Sequence, residues 1–229
     1  MLEVDAIDAG YGSARVLQSV SLTFGGGEMA FVVGRNGAGK TTLLKTIAGL
    51  LVPTAGSIRF DGMPIHGGRV ETLARQGVRY VNQDKKVFVD LTVKDNIELA
   101  AYACGEPLEQ ALDRLTSLYP KFSGFMDKKA GHLSGGQREI LLIGRALVGE
   151  PRLLLIDEPT EGLAAIVIED IFRILNGMKN KVASIIVEQN LSVVARLADR
   201  ILIMKEGRID REISEPSEIA DAAALAASL

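Results

Sequence analysis

Gly34-Arg35-Asn36-Gly37-Ala38-Gly39-Lys40-Thr41 is the stretch from which the fold of this 229-residue chain can be inferred. It fits the pattern G-x-x-x-x-G-K-[ST], follows the apolar run MAFVV and precedes a run with apolar residues at helical spacing. In that context glycines let backbone N–H groups surround phosphate oxygens, at a helix N-terminus that favours negative charge. The stretch therefore predicts a phosphate-binding loop between a strand and a helix.

The last residues of this loop have distinct expected roles. Lys40 is expected to reach the β- and γ-phosphates of a nucleotide, and the hydroxyl of Thr41 to bind Mg²⁺, with Thr42 completing the nucleotide-binding group. The alternative is a glycine-rich turn that binds nothing. All fixed positions of the pattern and both flanking elements agree, which favours the phosphate loop.

Strand-like and helix-like runs alternate on both sides of the loop. Residues 2–33 and 57–82 read as strands, and the helix after Lys40 is predicted to present Leu43, Leu44, Ile47, Leu50 and Leu51 on one face. Residues 92–148 are mostly helical, and two apolar strands follow at 153–157 and 183–187 with a helix between them. This alternation predicts an α/β domain around a largely parallel sheet, with the long helical stretch as a candidate subdomain.

An apolar strand ends in two acids at Leu153-Leu154-Leu155-Ile156-Asp157-Glu158. Ligands of open α/β sheets bind at the carboxyl ends of the strands, so these carboxylates are placed at a candidate site. Asp157 is expected to hold Mg²⁺, and Glu158 to orient and deprotonate an attacking water. Taken alone, such a pair is equally compatible with a structural role; together with the phosphate loop it indicates catalysis.

A second anion-binding helix start is predicted at Leu133-Ser134-Gly135-Gly136-Gln137, before a helix that begins near Gln137. Two phosphate-binding ends in one chain are difficult to explain if the chain acts alone. They are explained if the second end serves a nucleotide held by another copy.

Composition limits the class of protein further. The net charge of −3 and the pI of about 5.6 argue against a dedicated nucleic-acid binder. Cys104 is the single cysteine, so an internal disulfide is impossible and a reducing compartment fits. No signal peptide is expected from the acidic start, and no apolar run reaches the 18 or so residues of a membrane span. Any membrane contact would therefore be made through a partner.

Four motifs in this order resemble the ABC ATPase family: GRNGAGKTT at 34–42, Gln83, LSGGQ at 133–137 and LLLIDEPTEGL at 153–163. The resemblance covers nearly the whole chain. It implies a P-loop NTPase core with a mainly parallel sheet, an antiparallel β subdomain and an inserted α-helical subdomain. Residues 1–229 would form one ABC ATPase domain, with the nucleotide-binding core in 1–91 and 149–229 and the helical subdomain in 92–148.

The resemblance also implies ATP and Mg²⁺ as ligands, in a head-to-tail dimer that sandwiches two ATPs between phosphate loops and LSGGQ segments. Tyr11 matches the aromatic residue that stacks on adenine, although an ordinary strand-end tyrosine is the alternative. Gln83 matches the residue that touches Mg²⁺ or water. Residues 161–163 match the dimer-contact loop of the family. Residues 92–148 match the subdomain that contacts the permease. Ser134, Gly135, Gly136 and Gln137 would bind the partner's nucleotide.

Within the family, DLTVKDNIELA and LSGGQREILLIGRALVGEPRLLLIDEPTEGL resemble the second of the two ATPases in bacterial branched-chain amino-acid uptake systems. GRNG and DEPTEG also resemble the ATPases of urea and short-chain amide importers. Asn82, Val89 and Ala165 stand where the family commonly has proline, which concerns loop rigidity and not the chemistry. A soluble ABC ATPase acting on DNA or ribosomes and a non-catalytic nucleotide-binding regulator are the other classes.

Most members of the family have a γ-phosphate-contacting histidine after the strand that follows the acidic one. Here the strand ASIIV ends in Glu188-Gln189-Asn190, so Gln189 occupies that place, as in the branched-chain branch. Glutamine donates a hydrogen bond but carries no titrating charge. An ordinary surface polar residue is the alternative for Gln189. The two histidines lie elsewhere: His66 is predicted in a solvated turn, and His132 is predicted to be structural, with contact to a neighbouring subunit as the alternative.

The partners implied by the resemblance are a second ABC ATPase subunit, two transmembrane permeases and, indirectly, a periplasmic binding protein, with no nucleic acid. The chain would lie peripherally on the cytoplasmic face of the inner or plasma membrane. Substrate identity and the choice between homodimer and heterodimer remain open. Residues 219–225 are predicted to form a short C-terminal helix that is entered through Ser214 and Pro216.

Overall fold

The computed structural model describes residues 1–65, 70–84 and 86–221. Its first sheet is antiparallel, with strand order β2-β1-β4-β5. The strands are β1 (Leu2–Tyr11), β2 (Ala14–Phe24), β4 (Ala55–Phe60) and β5 (Met63–Pro64).

The second sheet has six strands in the order β10-β9-β3-β8-β7-β6. Neighbours from β9 to β6 pair in parallel, and β10 pairs antiparallel at one edge. The prediction of an α/β fold with a mainly parallel sheet and an antiparallel β part is therefore confirmed. The strands are β3 (Met29–Val33), β6 (Val78–Val81), β7 (Leu153–Asp157), β8 (Ala183–Val187), β9 (Arg200–Lys205) and β10 (Arg208–Ile213).

Eight α-helices occur in the described part of the chain. Two short 3-10 helices, Pro120–Phe125 and Ala130–His132, join α4 to α5. The α-helices are α1 (Lys40–Ile47), α2 (Val70–Arg75), α3 (Val93–Cys104), α4 (Leu108–Leu118), α5 (Gly135–Leu147), α6 (Ala165–Met178), α7 (Leu191–Leu197) and α8 (Pro216–Ala220). Within these residues, none of the helices is long and apolar enough to span a bilayer.

The parallel sheet is buried on both faces, because its apolar side chains alternate between two clusters. In β3, Met29, Phe31 and Val33 point into the cluster formed with α3 to α8, while Ala30 and Val32 point toward the antiparallel sheet, α1 and α2. Strands β7, β8 and β9 alternate in the same way. The domain therefore has three layers, with the parallel sheet in the middle. The carboxyl ends of β3, β7 and β8 lie side by side at the same end of this sheet.

Four local predictions were wrong. Helix α1 ends at Ile47 because Gly49 adopts a positive φ of 73° and the N–H of Leu50 bonds back to the carbonyl of Lys45, an ending that glycine favours. Leu50 is consequently 53% exposed and Leu51 half-buried, not part of the buried face of the helix. The stretch 57–82 contains helix α2 as well as strands, with Leu73 buried on its inner side.

The third correction concerns the start of α5, which is Gly135 and not Gln137. Ser134 caps the helix by accepting a hydrogen bond from the N–H of Gln137, so the two glycines lie inside its first turn. Near the C-terminus, α8 begins at Pro216 and already ends at Ala220, so the predicted helix over 219–225 is wrong at Asp221, which follows the helix without helical structure; residues 222–225 lie outside the described part of the chain. The prediction for His66 also falls outside that part.

Candidate functional site

The phosphate loop turns sharply between β3 and α1. Gly39 precedes the helix with a φ of 100°, a conformation that L side chains rarely adopt. A Cβ at Gly34 would lie 2.4 Å from the carbonyl oxygen of Met204, so the loop can pass β9 only with glycine there. Arg35, Asn36 and Gly37 form the exposed tip, and the carbonyl of buried Ala38 accepts the N–H of Gly207 at 3.0 Å.

Lys40 lies inside this loop with 5% of its surface exposed. Its Nζ donates hydrogen bonds to the carbonyl oxygens of Gly34, at 2.7 Å, and Arg35, at 3.1 Å. Burial lowers the pKa of Lys40, and the nearby carboxylates of Glu158 and Asp157 oppose that shift. The ammonium group is thus held by two loop carbonyls, within reach of the charges of Glu158 and Asp157.

Asp157 ends β7 beside the start of α1. Its Oδ1 accepts a hydrogen bond from the hydroxyl of Thr41 at 3.1 Å, and its Oδ2 accepts one from the hydroxyl of Tyr80 at 3.2 Å. Burial raises the pKa of Asp157, and the two hydroxyls partly reverse that effect. A hydroxyl and a carboxylate are hard oxygen donors of the kind that Mg²⁺ prefers, so this pair fits the predicted cation.

Tyr80 was missed by the sequence analysis. It lies half-buried in β6, the strand adjacent to β7, and burial next to Asp157 raises the pKa of its hydroxyl. No short-range pattern marks it, because its contact depends on which strand pairs with β7.

Two side-chain amides contact the carboxylate of Glu158, one on each oxygen. The Nε2 of Gln189 donates to Oε1 at 2.8 Å, and the Nε2 of Gln83 lies 3.3 Å from Oε2. Gln83 also donates to Glu161 at 2.7 Å, and Gln189 to Asn36 at 3.3 Å. Glu158 itself has a positive φ of 51°, a strained conformation for a non-glycine residue that is often found at functional sites.

A buried network behind this group was also missed. The carboxylate of Glu188 accepts hydrogen bonds from the N–H groups of Gln189 and Asn190 and from the hydroxyl of Thr160. In the sequence, Glu188 stands out only as the residue before Gln189. The available signal was an acid directly after a mostly apolar strand.

The start of α5 offers open space beside a helix N-terminus. Ser134 and Gln137 form a reciprocal capping box, each hydrogen-bonding the other's backbone N–H at 3.2 Å. A Cβ at Gly135 would meet nothing within 4 Å, whereas one at Gly136 would lie 2.4 Å from a methyl group of Val167 in α6. The two glycines therefore differ: Gly136 is needed for packing within the chain, and Gly135 is not.

The structure also gives the exposure of three further residues that the sequence analysis singled out. Tyr11 is the last residue of β1 and is 49% exposed. Thr42 is buried, and its carbonyl accepts the hydroxyl of Thr46 at 2.7 Å. His132 is exposed in a 3-10 helix. The structure thus brings the phosphate loop, Asp157, Glu158, Gln83 and Gln189 into one group of contacts.

Comparison with known proteins identifies the class to which this site belongs. A model of the ABC transporter family matches residues 17–161, and the chain belongs to that family. Its fold is similar to a nucleotide-free ATP-binding cassette from an ABC transporter, with a TM-score of 0.85, 27% identity and coverage of 97% of this chain and 94% of that one.

Two relatives make the comparison more specific. The chain is 37% identical to the high-affinity branched-chain amino acid transport ATP-binding protein BraG of Pseudomonas aeruginosa, over 91% of each chain. It is 35% identical to the probable branched-chain amino acid transport ATP-binding protein LivF of Archaeoglobus fulgidus, over 91% of this chain and 90% of that one. The predicted class, an ABC transporter ATPase, is confirmed.

Proposed function

We propose that this chain is the ATP-hydrolysing subunit of an importer for branched-chain amino acids. The substrate class is suggested by the names of its BraG and LivF relatives, which match nearly its whole length. The observation that carries the catalytic part is the 2.8 Å contact between Gln189 and Glu158 beside the Thr41–Asp157 pair. These contacts support a role for Glu158 as the base and for Thr41 and Asp157 as ligands of the cation.

In this proposal the phosphate loop, residues 34–42, binds the phosphates of ATP, and Lys40 neutralises their charge. Thr41, Asp157 and Gln83 would hold Mg²⁺, which when bound withdraws charge from the phosphate oxygens. Glu158 takes a proton from the attacking water, whose oxygen forms a bond to the γ-phosphorus as the bond to the ADP oxygen breaks. Gln189 donates to the γ-phosphate, and exposed Tyr11 stacks on adenine.

The start of α5 serves a second copy or a related ATPase subunit. Ser134, Gly135, Gly136 and Gln137 would contact the nucleotide that the partner binds, because Gly135 faces open space in its own chain. A similar fold occurs in the dimeric post-hydrolysis ATP-binding cassette MJ0796 bound to ADP and Pi, with a TM-score of 0.82 and 25% identity, covering 93% of this chain and 98% of that one. ATP binding would close such a pair, and hydrolysis would reopen it.

The helical subdomain, residues 92–148, is the proposed contact with two transmembrane permeases, and residues 1–91 and 149–229 are the proposed nucleotide-binding core. This assembly would place the chain on the cytoplasmic face of the membrane, with a periplasmic binding protein delivering substrate. The net charge of −3 supports a protein partner over nucleic acid.

Reconstitution of the chain with its co-purified permeases and binding protein tests this proposal. ATP hydrolysis and uptake should be stimulated by leucine, isoleucine or valine, and abolished by Glu158→Gln. Urea and short-chain amides form a second arm, since GRNG and DEPTEG also resemble importers of that class. Stimulation by amides alone would contradict the branched-chain assignment, and ATP turnover unaffected by Glu158→Gln would contradict the site.

A further inference from the structure

Glu188 is a buried acid that the mechanism above does not use. It follows β8 directly and is 2% exposed. Its Oε1 accepts the N–H of Gln189 at 2.8 Å and the N–H of Asn190 at 2.9 Å, while its Oε2 accepts the hydroxyl of Thr160 at 2.9 Å. Burial raises the pKa of Glu188, and these hydrogen bonds, together with one from the main-chain N–H of Thr160, partly reverse that shift. Each carboxylate oxygen therefore binds a different segment of the chain.

The segments joined by this carboxylate carry the candidate catalytic groups. Thr160 lies two residues after Glu158 in the loop that follows β7, and Gln189 is the second residue of the loop that follows β8. The main-chain N–H of Glu188 also donates to the carbonyl of Val32, at 3.3 Å, in the strand that leads into the phosphate loop. One buried residue thus contacts all three strand ends that form the site.

We propose that Glu188 is a positioning residue, whose buried carboxylate ties the loop after β7 to the loop after β8 and so holds the Gln189 amide against Glu158. The inference rests on the proposed ATPase reaction and deepens it. Glu188 itself contacts neither of the reacting groups. It acts through the backbone of Gln189, whose side chain reaches Glu158 at 2.8 Å and Asn36 at 3.3 Å.

The chemistry of the contact explains why a carboxylate suits this position. All three partners are donors in the structure, and an ionised carboxylate is an acceptor only, on both oxygens. Glutamine has nearly the same shape, but it would turn an NH₂ group toward one of the two loops. An apolar residue would cost less to bury, yet it would leave the N–H groups of Gln189 and Asn190 without this acceptor.

Steady-state ATP hydrolysis by the reconstituted transporter tests this role through Glu188→Gln. We expect kcat to fall roughly threefold to tenfold, the effect of losing one oriented hydrogen bond in the site. The KM for ATP should stay within about twofold, since the phosphate loop is unchanged. The decisive measurement repeats Glu188→Gln in a Gln189→Ala background, where the further loss of kcat should vanish because the group being positioned is absent.

Thr160 supplies matched variants if Glu188→Gln proves too unstable to purify. Thr160→Val removes the hydroxyl at nearly constant volume and should lower kcat in the same background-dependent way, whereas Thr160→Ser should restore it. Wild-type kcat in both Glu188→Gln and Thr160→Val, or an equal loss with and without the Gln189 side chain, would overturn the inference. Failure of the proposed function looks different: Glu158→Gln would then hydrolyse ATP at the wild-type rate.

Discussion

The amide nitrogen of Gln189 lies 2.8 Å from Oε1 of Glu158, although the two residues are 31 positions apart in the chain. Parallel pairing of β7 with β8, with Asp157 opposite Val187, brings the two strand ends side by side. A neutral donor therefore faces the candidate base, and it can hold the carboxylate or turn toward a phosphate without a change of charge.

Gln189→Ala should slow ATP turnover only roughly threefold to tenfold, because a neutral hydrogen bond contributes on the order of 0.5–1.5 kcal/mol. Glu158→Gln should cost about a hundredfold or more, since the attacking water then lacks its base. Both rates are to be measured in the same reconstituted transporter. If the two variants are equally inactive, Gln189 does more than donate a hydrogen bond.

Gln189→His serves as the companion variant. Histidine can donate to the same oxygens, so turnover should be retained. Because imidazole titrates near neutral pH, a pH dependence absent from the wild type should appear close to that range, with the neighbouring Glu158 carboxylate favouring the protonated ring. An unchanged pH profile between pH 5.5 and 8 would show that position 189 does not face the reacting groups.

Lys40→Ala should lose ATP affinity and hydrolysis together, with turnover reduced roughly a hundredfold or more, because the ammonium stabilises phosphate charge in both the bound and transition states. Titration with a fluorescent ATP analogue and the ATPase rate are the measurements. Lys181→Ala is the control, since that exposed lysine precedes β8 at the opposite end of the sheet. Wild-type affinity in Lys40→Ala would contradict the phosphate-loop assignment.

Ser134→Ala should reduce hydrolysis more strongly than nucleotide binding by the isolated chain. It also removes a helix cap, which costs about 0.5–2 kcal/mol of stability. Thr92→Ala separates these effects, because Thr92 forms the equivalent capping box at the start of α3. Both variants should lower the Tm by similar amounts, and Ser134→Ala alone should impair dimer-dependent hydrolysis. Equal impairment by both would reduce the role of Ser134 to helix stability.

Gly135→Ala provides a cleaner test of the shared site than Gly136→Ala, whose added methyl group would clash with Val167. A methyl group at position 135 meets nothing in its own chain, so the Tm and monomer nucleotide affinity should be unchanged. ATP-driven dimerisation, followed by size-exclusion chromatography in a Glu158→Gln background, should weaken if a partner's nucleotide occupies that space. Unchanged dimerisation would place the nucleotide elsewhere.

The local parts of the site were predictable from sequence, because each is formed by residues that are consecutive in the chain. The phosphate loop, the acids at the end of β7 and the helix start at residues 133–137 all follow from short-range patterns with a known physical cause. Tyr80 and the Thr160–Glu188 bond were not predictable, since they depend on strand order and on which side chains face each other across strands. Helix α2 was missed because its six residues give too little periodicity to distinguish it from the flanking strands.

The shared apolar cluster limits how the helical segment can move. Val33 and Ile156 of the parallel sheet belong to the same buried cluster as Val93 and Ile97 of α3. A rigid swing of this segment away from the sheet would expose that common surface to water, whereas sliding of one packed face along the other keeps it covered. We therefore expect any displacement of this segment relative to the sheet to be of the shear type, which keeps the two faces in contact, and not a wide hinge opening.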